Sequence, residues 1–443
     1  MTSSAAAFSG NGTLRRAQAA LDDVNATDVL RALIFTGAFL LAWVTVSPFS
    51  DLSSRDLLGV LEGRDGLSYM LFGMLAITGA SLAFILHARA LAALLTPAFL
   101  LLALWLAFAA AISPDTGTSL RRLVLQGMVM AVAASAFLMP AGRVRMAVLL
   151  AAVAATVIAL SYMGLLVVPH LTIHQMGDLV ESRLSGDWRG IFFHKNLAGP
   201  IFVFCAFIGI YVARTLSVAL GAALFILSAV FLIFSGAKSA MLLFPLVLAL
   251  SFAATQARGS VLSALLCFGP LVLAAFLTLG TIAIPAMGSA IQALPVETSF
   301  TGRTEIWKFA LEKVGTEPLT GHGFWAFWGG AEARYGLEVG PTQWIGSVSH
   351  AHNGYLDAAL SLGIPGLLLT LAVFLVQPFF DLRRVAARTG ERALALLLTQ
   401  IWLFGVYLSL MESFLFNRHN PIWFTFLFAV FGLRFLSRFR STP

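Results

Sequence analysis

Long apolar runs separated by short polar breaks recur along the chain from about residue 32 to residue 437. Runs near 20 residues match the hydrocarbon thickness that a helix must cross. They predict twelve spans, at 32–49, 67–86, 90–112, 120–140, 146–168, 197–213, 216–234, 239–255, 260–286, 354–380, 393–411 and 420–437. The fold class expected is therefore an all-α integral membrane protein with about 12 transmembrane helices. It forms one polytopic domain (31–437) between an N-terminal tail (1–30) and a short C-terminal tail (438–443). The first apolar run begins near Leu33, behind a polar segment with no small-residue cleavage pattern, so the first span is expected to double as the insertion signal.

Two polar stretches, 169–196 and 287–353, are too long to be turns. In the second, TGRTEIWKFALEKVGTEP places Trp307, Ala310, Leu311 and Val314 at helical spacing, with Glu305, Lys308 and Glu312 elsewhere. This predicts an amphipathic helix lying at the membrane surface.

Composition agrees with the pattern. Hydrophobic residues make up 59% of the chain and charged ones 11%, with a mean hydropathy of +0.89, where soluble domains carry about 25% charged residues. Cys205 and Cys267 both lie in apolar runs and read as buried thiols. A net charge of +7 would suggest nucleic acid in a soluble protein, but here the arginines cluster in short loops and orient the spans, so no nucleic-acid partner is expected. Arg15, Arg16, Arg31, Arg89, Arg143, Arg145, Arg214 and Arg258, then DLRRVAARTGER and SRFRSTP, fall on one side. If that side is cytoplasmic, both termini are inside and both long loops are outside.

The middles of the spans are almost free of ionisable side chains, which argues against ion-coupled transport. Several cations instead fall on the outer side: Arg121, Arg122, Arg189, Lys195, Lys238, Arg303 and Arg418. Any one of them reads equally as a side chain snorkelling to headgroups, but together they suit a phosphate-bearing substrate. Glycines in SGAK and TGR, beside Lys238 and Arg303, would let backbone approach such a ligand.

The stretch SVSHAHNGYL places His350 and His352 one residue apart, and His352 with Asn353 stands at the N-terminus of the span opening at Gly354. A helix N-terminus favours an anion, and a neutral imidazole there could take a proton from a hydroxyl. Plain capping is the competing reading. A metal pair would need a third ligand that the stretch does not offer, so no metal is expected. There is no G-x-x-x-x-G-K-[ST], G-x-G-x-x-G or G-x-S-x-G motif, and no Asp-x-Asp pair. No nucleotide or other cofactor is expected, and arginine and lysine would have to neutralise any diphosphate.

GIFFHKNLAG, FSGAKSA, TGRTEIW…PLTGHGFWAFW and SHAHNGYLDAALSLGIPGLLL, in that order over about 185–370, resemble the bacterial O-antigen ligase and O-antigen or exopolysaccharide polymerase superfamily. The resemblance implies a GT-C-like helical bundle in the inner membrane and a metal-independent, inverting glycosyltransferase whose site faces the periplasm. The donor it implies is an undecaprenyl-diphosphate-linked oligosaccharide. The acceptor is another glycan in polymerases and lipid A-core in ligases, with other polysaccharide assembly proteins as further partners. Matched by position, Arg303 and His352 take the catalytic places. Arg189, His194, Lys195, Asn196, Lys238 and Asn353 take the substrate-binding ones. Lys238 stands where many members carry arginine. The His194-Lys195-Asn196 form, where many ligases have His-Pro-Asn, resembles the exopolysaccharide polymerase branch. The alternatives are a ligase and, from another class, a flippase or transporter of lipid-linked glycans.

Overall fold

The computed structural model describes residues 25–44, 48–53, 57–178, 182–257, 259–284, 303–328, 330, 333, 345, 348–386, 392–418 and 420–439, with backbone alone at 57–65, 182, 283 and 386. Among these the architecture is helical. The helices are α1 (Ala26–Trp43), α2 (Leu57–Ala92), α3 (Pro97–Ala111), α4 (Thr116–Leu138), α5 (Arg143–Val167), α6 (Lys195–Thr215) and α7 (Val218–Ser235). They continue with α8 (Lys238–Gln256), α9 (Ser260–Gly280), α10 (Arg303–Thr316), α11 (Gly354–Val385), α12 (Arg392–Leu408) and α13 (Pro421–Arg438). Ten of them are long and apolar enough to cross a membrane, and α3 and α12 are shorter apolar helices. All twelve stand where the apolar runs predict spans.

Two boundaries differ for local reasons. α1 starts at Ala26, inside the expected tail, because Asn25 and Asp28 form a reciprocal capping box. The span expected at 90–112 starts at Pro97. Thr96 caps it by accepting from Phe99 N, and proline is favoured in a first turn. Residues 90–92 finish α2 instead, beyond a break at His87 (φ −142°, ψ 39°).

α13 is the axis of the bundle, buried along nearly its whole length. Two of the indole N–H groups that enter this core find acceptors. Trp43 donates to Thr425 Oγ1 at 2.8 Å and Trp402 to Phe374 O at 2.8 Å, since an unpaired buried donor costs more than the bond returns. The outward faces expose Ile85, Leu166, Ile233 and Leu242, as contact with lipid requires. α6 and α7 form a tight hairpin. A Cβ on Gly209 would lie 2.8 Å from Gly221 O, one on Gly221 would lie 2.4 Å from Ala213 N, and Phe202 stacks on Phe231 at 3.7 Å.

Gly363 breaks α11 with φ 67° and ψ 179°. The loop after α10 docks into the break and satisfies its backbone. His322 N donates to Leu360 O at 2.7 Å, Ile364 N to Pro318 O at 2.7 Å, and Trp105 Nε1 to Leu362 O at 2.8 Å. Irregular backbone within a span survives only where protein covers it.

α10 forms where the helical spacing predicts it, and its apolar face packs on α11. Ile306, Trp307, Ala310 and Val314 are buried in one cluster with Leu356, Ala359 and Leu360 of α11. The Trp307 indole donates to Ala351 O at 2.9 Å, an acceptor that lipid tails cannot offer. The expected tails lie largely outside the described residues, as does much of 287–353, including Gly302 beside Arg303.

Candidate functional site

The four motifs meet at one end of the bundle, around a residue belonging to none of them. Glu412 lies in the short connection between α12 and α13. Its Oε1 accepts from Arg303 Nη2 at 2.9 Å and from Asn196 Nδ2 at 3.2 Å, and its Oε2 lies 3.5 Å from His352 Nδ1. The last distance suits an ion pair better than a strong hydrogen bond. Segments far apart in the chain, at 196, 303, 352 and 412, are thereby joined through one carboxylate. Burial alone would raise the Glu412 carboxyl, but His352 and Arg303 outweigh it and hold the group below its ordinary value.

Each partner is placed by its own local chemistry. Arg303 opens α10, where the helix dipole disfavours a cation. Glu412 and the Met411 carbonyl, 2.6 Å from Nη1, hold it there. Asn196 is in the first turn of α6, capped by His194, whose Nδ1 accepts from Asn196 N at 3.0 Å. His352 has φ 52°, a left-handed backbone unusual for a residue with a side chain.

That conformation is fixed through Ala351, which is fully buried. Ala351 N donates to the Asp357 carboxylate at 3.1 Å, and Ala351 O accepts from Trp307. Trp328 Nε1 closes the set on Asp357 at 2.6 Å. With the middle residue pinned, the rings of His350 and His352 stand edge to face at 4.1 Å. His350 Nδ1 accepts from His352 N at 3.2 Å, so that nitrogen is engaged with backbone. Burial, with His352 and Arg303 nearby, pulls His350 down to about 3, and it stays neutral at any ordinary pH. Among the described residues no group of three or more His, Cys, Asp or Glu converges as metal ligands would.

Asn353 caps α11: its Oδ1 accepts from Tyr355 N and Leu356 N, both at 3.1 Å, and its own N–H donates to Ser413 Oγ at 3.0 Å. It is fully buried and ties His352 to the Glu412 connection.

Lys195 opens α6 beside His194, with its ammonium 2.6 Å from Asp187 Oδ2 and 3.2 Å from Gly236 O. The glycine of SGAK gives room to this carboxylate, since a Cβ on Gly236 would lie 2.7 Å from Asp187 Oδ1. Lys238 is exposed in the first turn of α8 and has no hydrogen-bond or ion-pair partner among the described residues. Its neighbours Ala237, Ser239 and Ala240 line a narrow cleft whose opposite wall is Asn196, Leu408 and Glu412.

Arg189 is set apart from this cluster. It is fully buried, donating to Phe192 O at 3.0 Å and Ser50 O at 2.7 Å, and it braces two loops. Burial lowers its ordinary value, with Asp178 and Asp51 opposing. Arg122 likewise donates to the carbonyl of Trp325.

A second group stabilises the start of α6. His174 is buried, and its Nε2 accepts from Lys195 N at 3.3 Å, so the ring proton is on Nδ1, 3.2 Å from Asp178 Oδ2. Burial lowers His174 below its ordinary value more than Asp178 raises it, which favours this neutral form. Asp178→Ala would leave the buried Nδ1–H without its acceptor. The expected cost is about 1–3 kcal/mol, read as a lower Tm in detergent.

Glu412, His174 and Asp357 are the residues that the motif reading passes over. Glu412 had one signal: it is a lone acid in MESFLFNRHN, at the end of the molecule where the motif cations gather.

Comparison with known proteins covers part of the chain. A family model described as O-Antigen ligase matches residues 223–371. That stretch contains the SGAK, TGR and HN motifs, and the family is the one the motifs resemble. The exopolysaccharide production protein ExoQ of Rhizobium meliloti (strain 1021) is 30% identical over 99 residues, 21% of this chain. The match spans 22% of that relative's length.

Proposed function

We propose that this chain is a membrane-embedded glycosyltransferase that extends a polysaccharide from a lipid-diphosphate-linked donor, working at the end of the bundle where the four motifs meet. The observation that carries this reading is the convergence of Arg303, Asn196 and His352 on Glu412. A narrow cleft lined by Asn196, Glu412 and the Ser239–Ala240 turn adjoins them, with Lys238 in the same turn. The end concerned is the periplasmic one in this reading, and the donor is an undecaprenyl-diphosphate-linked oligosaccharide.

In the reaction the acceptor hydroxyl attacks the anomeric carbon, the bond from that carbon to the diphosphate oxygen breaks, and the configuration inverts. His352, with Nδ1 toward Glu412, takes the hydroxyl proton at Nε2, and the carboxylate stabilises the imidazolium that results. Arg303, Lys238 and Lys195 oppose the charge developing on the departing diphosphate, a task worth several kcal/mol when the donors are held in advance. Asn196, in the first turn of α6, orients the phosphate oxygens through its side-chain amide. Asn353 sets the position of His352. Arg189 supports the α6 loop from beneath.

The relative named for exopolysaccharide production and the His-Lys-Asn form of the first motif favour a polymerase. The ligase description of the matching family favours the second reading, transfer to lipid A-core. Purified protein given a lipid-linked oligosaccharide should lengthen it with no added metal or nucleotide. Growth only when lipid A-core is supplied would move the assignment to the ligase. His352→Ala should lower turnover about 10²–10⁴-fold, and wild-type turnover by that variant would overturn the catalytic assignment.

A further inference from the structure

The proposed transfer uses the Lys195 ammonium to hold phosphate, yet that ammonium is already committed to a carboxylate of the protein. Its Nζ donates to Asp187 Oδ2 at 2.6 Å and to Gly236 O at 3.2 Å. The loop bearing Asp187 does not need this pair to stay in place. Asp187 O accepts from His174 N at 2.9 Å, and Asp187 N donates to Leu184 O at 3.0 Å. Trp188, the next residue, donates from its N–H to Phe234 O at 3.0 Å and stacks on the Phe234 ring at 4.5 Å. Lys195 is held separately, through its own N–H on His174 Nε2.

Exposure separates this pair from its neighbours. The Asp187 side chain is 31% exposed, against 13% for Glu412 and 3% for Asp178. Those two carboxylates are enclosed with their partners, whereas Asp187 has water beside it and can turn away. If it does, Lys195 keeps its bond to Gly236 O, so the ammonium stays where it is. An ion pair open to water is worth little, because solvent and salt compete for both charges. A phosphate competes better still, since it brings several anionic oxygens to one cation. Lys238, exposed and two residues beyond Gly236, adds a second cation at the same turn.

We infer that Asp187 is a replaceable counter-ion to Lys195, displaced when the lipid diphosphate binds and returning when it leaves, so that it limits how tightly the site holds its leaving group. This rests on the transfer reading above. When the bond from the anomeric carbon breaks, its electron pair stays on the diphosphate oxygen, and the product carries more negative charge than the donor. Cations alone would therefore hold the product more tightly than the donor. A carboxylate that must be displaced takes a similar share from the affinity of each, and it keeps the more strongly attracted product from staying bound.

The test is titration calorimetry of the full chain in neutral detergent with farnesyl diphosphate, a short polyprenyl diphosphate with the head group of the product. Asp187→Asn should bind it about 3–5-fold more tightly than wild type, as removal of a partly exposed competing charge requires. Asp187→Ser, which also lacks the charge, should show the same gain. In a Lys195→Gln background, Asp187→Asn should change nothing, because the contested cation is gone. Unchanged or weaker binding by both Asp187 variants would overturn the inference and leave the transfer reading standing. A gain that persists in the Lys195→Gln background would also overturn it, since Asp187 would then act on the field of the whole site. Failure of both wild type and Asp187→Asn to bind farnesyl diphosphate would overturn the transfer reading and the inference together.

Discussion

Glu412→Gln should lower glycan transfer on the order of 100-fold while leaving the protein folded. The amide keeps the shape of the side chain and can still accept from Asn196 or Arg303. What it removes is the negative charge that Arg303 and His352 share. Without that charge the imidazolium formed at His352 in the proposed transfer has no carboxylate to stabilise it, and the Arg303 guanidinium faces a neutral acceptor instead of an ion-pair partner.

A pH series separates the effect on charge from one on packing. Although burial pushes Glu412 up, His352 and Arg303 together hold it below its ordinary value of 4.5. A carboxyl depressed in the folded state contributes stability that is present above its ordinary value and is lost as pH falls through the folded one. Wild type should therefore lose Tm below about pH 4.5 more steeply than Glu412→Gln. Parallel Tm profiles, or full transfer activity in the variant, would contradict the role given to this carboxylate.

The largest effect on stability is expected at Gly363→Ala. Its φ of 67° and ψ of 179° belong to a region occupied almost only by glycine. A Cβ there would lie 2.4 Å from Leu319 O and 2.6 Å from Leu319 C, and both neighbours are backbone. Gly321→Ala meets the same contact from the other side, 2.5 Å from Gly363 N at φ 66°. Strain and overlap together should cost about 3 kcal/mol or more, enough to remove most folded protein from a detergent extract. Gly269→Ala serves as the control, because a Cβ at that helical position meets nothing within 4 Å. Gly269→Ala should leave the yield unchanged or improve it. Size-exclusion of a fluorescent fusion would read all three variants.

The spans were legible because lipid imposes one requirement everywhere, a run of apolar residues as long as the bilayer is thick. Their starts were legible where a capping residue could be recognised, and Thr96-Pro97 was missed only because the run of apolar residues continues across it. The break at Gly363 was not legible. Glycine and proline are common inside spans, and nothing in LSLGIPGLLL says that a distant loop will dock there. At the site, residue types carried over better than surroundings. Arg303, Asn196 and His352 meet, while Arg189, equally basic and in a motif, turns inward to backbone carbonyls. Glu412 escaped notice because one acid between apolar neighbours has no pattern of its own. Its role exists only once three distant segments are brought to it.

The glycine contacts between α6 and α7 bear on how the site can move. At Gly209 and Gly221 the two helices touch backbone to backbone, so no side chain can repack to let one slide along the other. The wall that carries Asn196 is therefore stiff. The facing wall, with Arg303 and His352, is held to it by hydrogen bonds and ion pairs that water or a phosphate can replace. In the proposed reaction, an opening for a lipid-borne chain would have its hinge on the α10 side. In hydrogen exchange, the amides of α10 should trade with solvent well before those of α6.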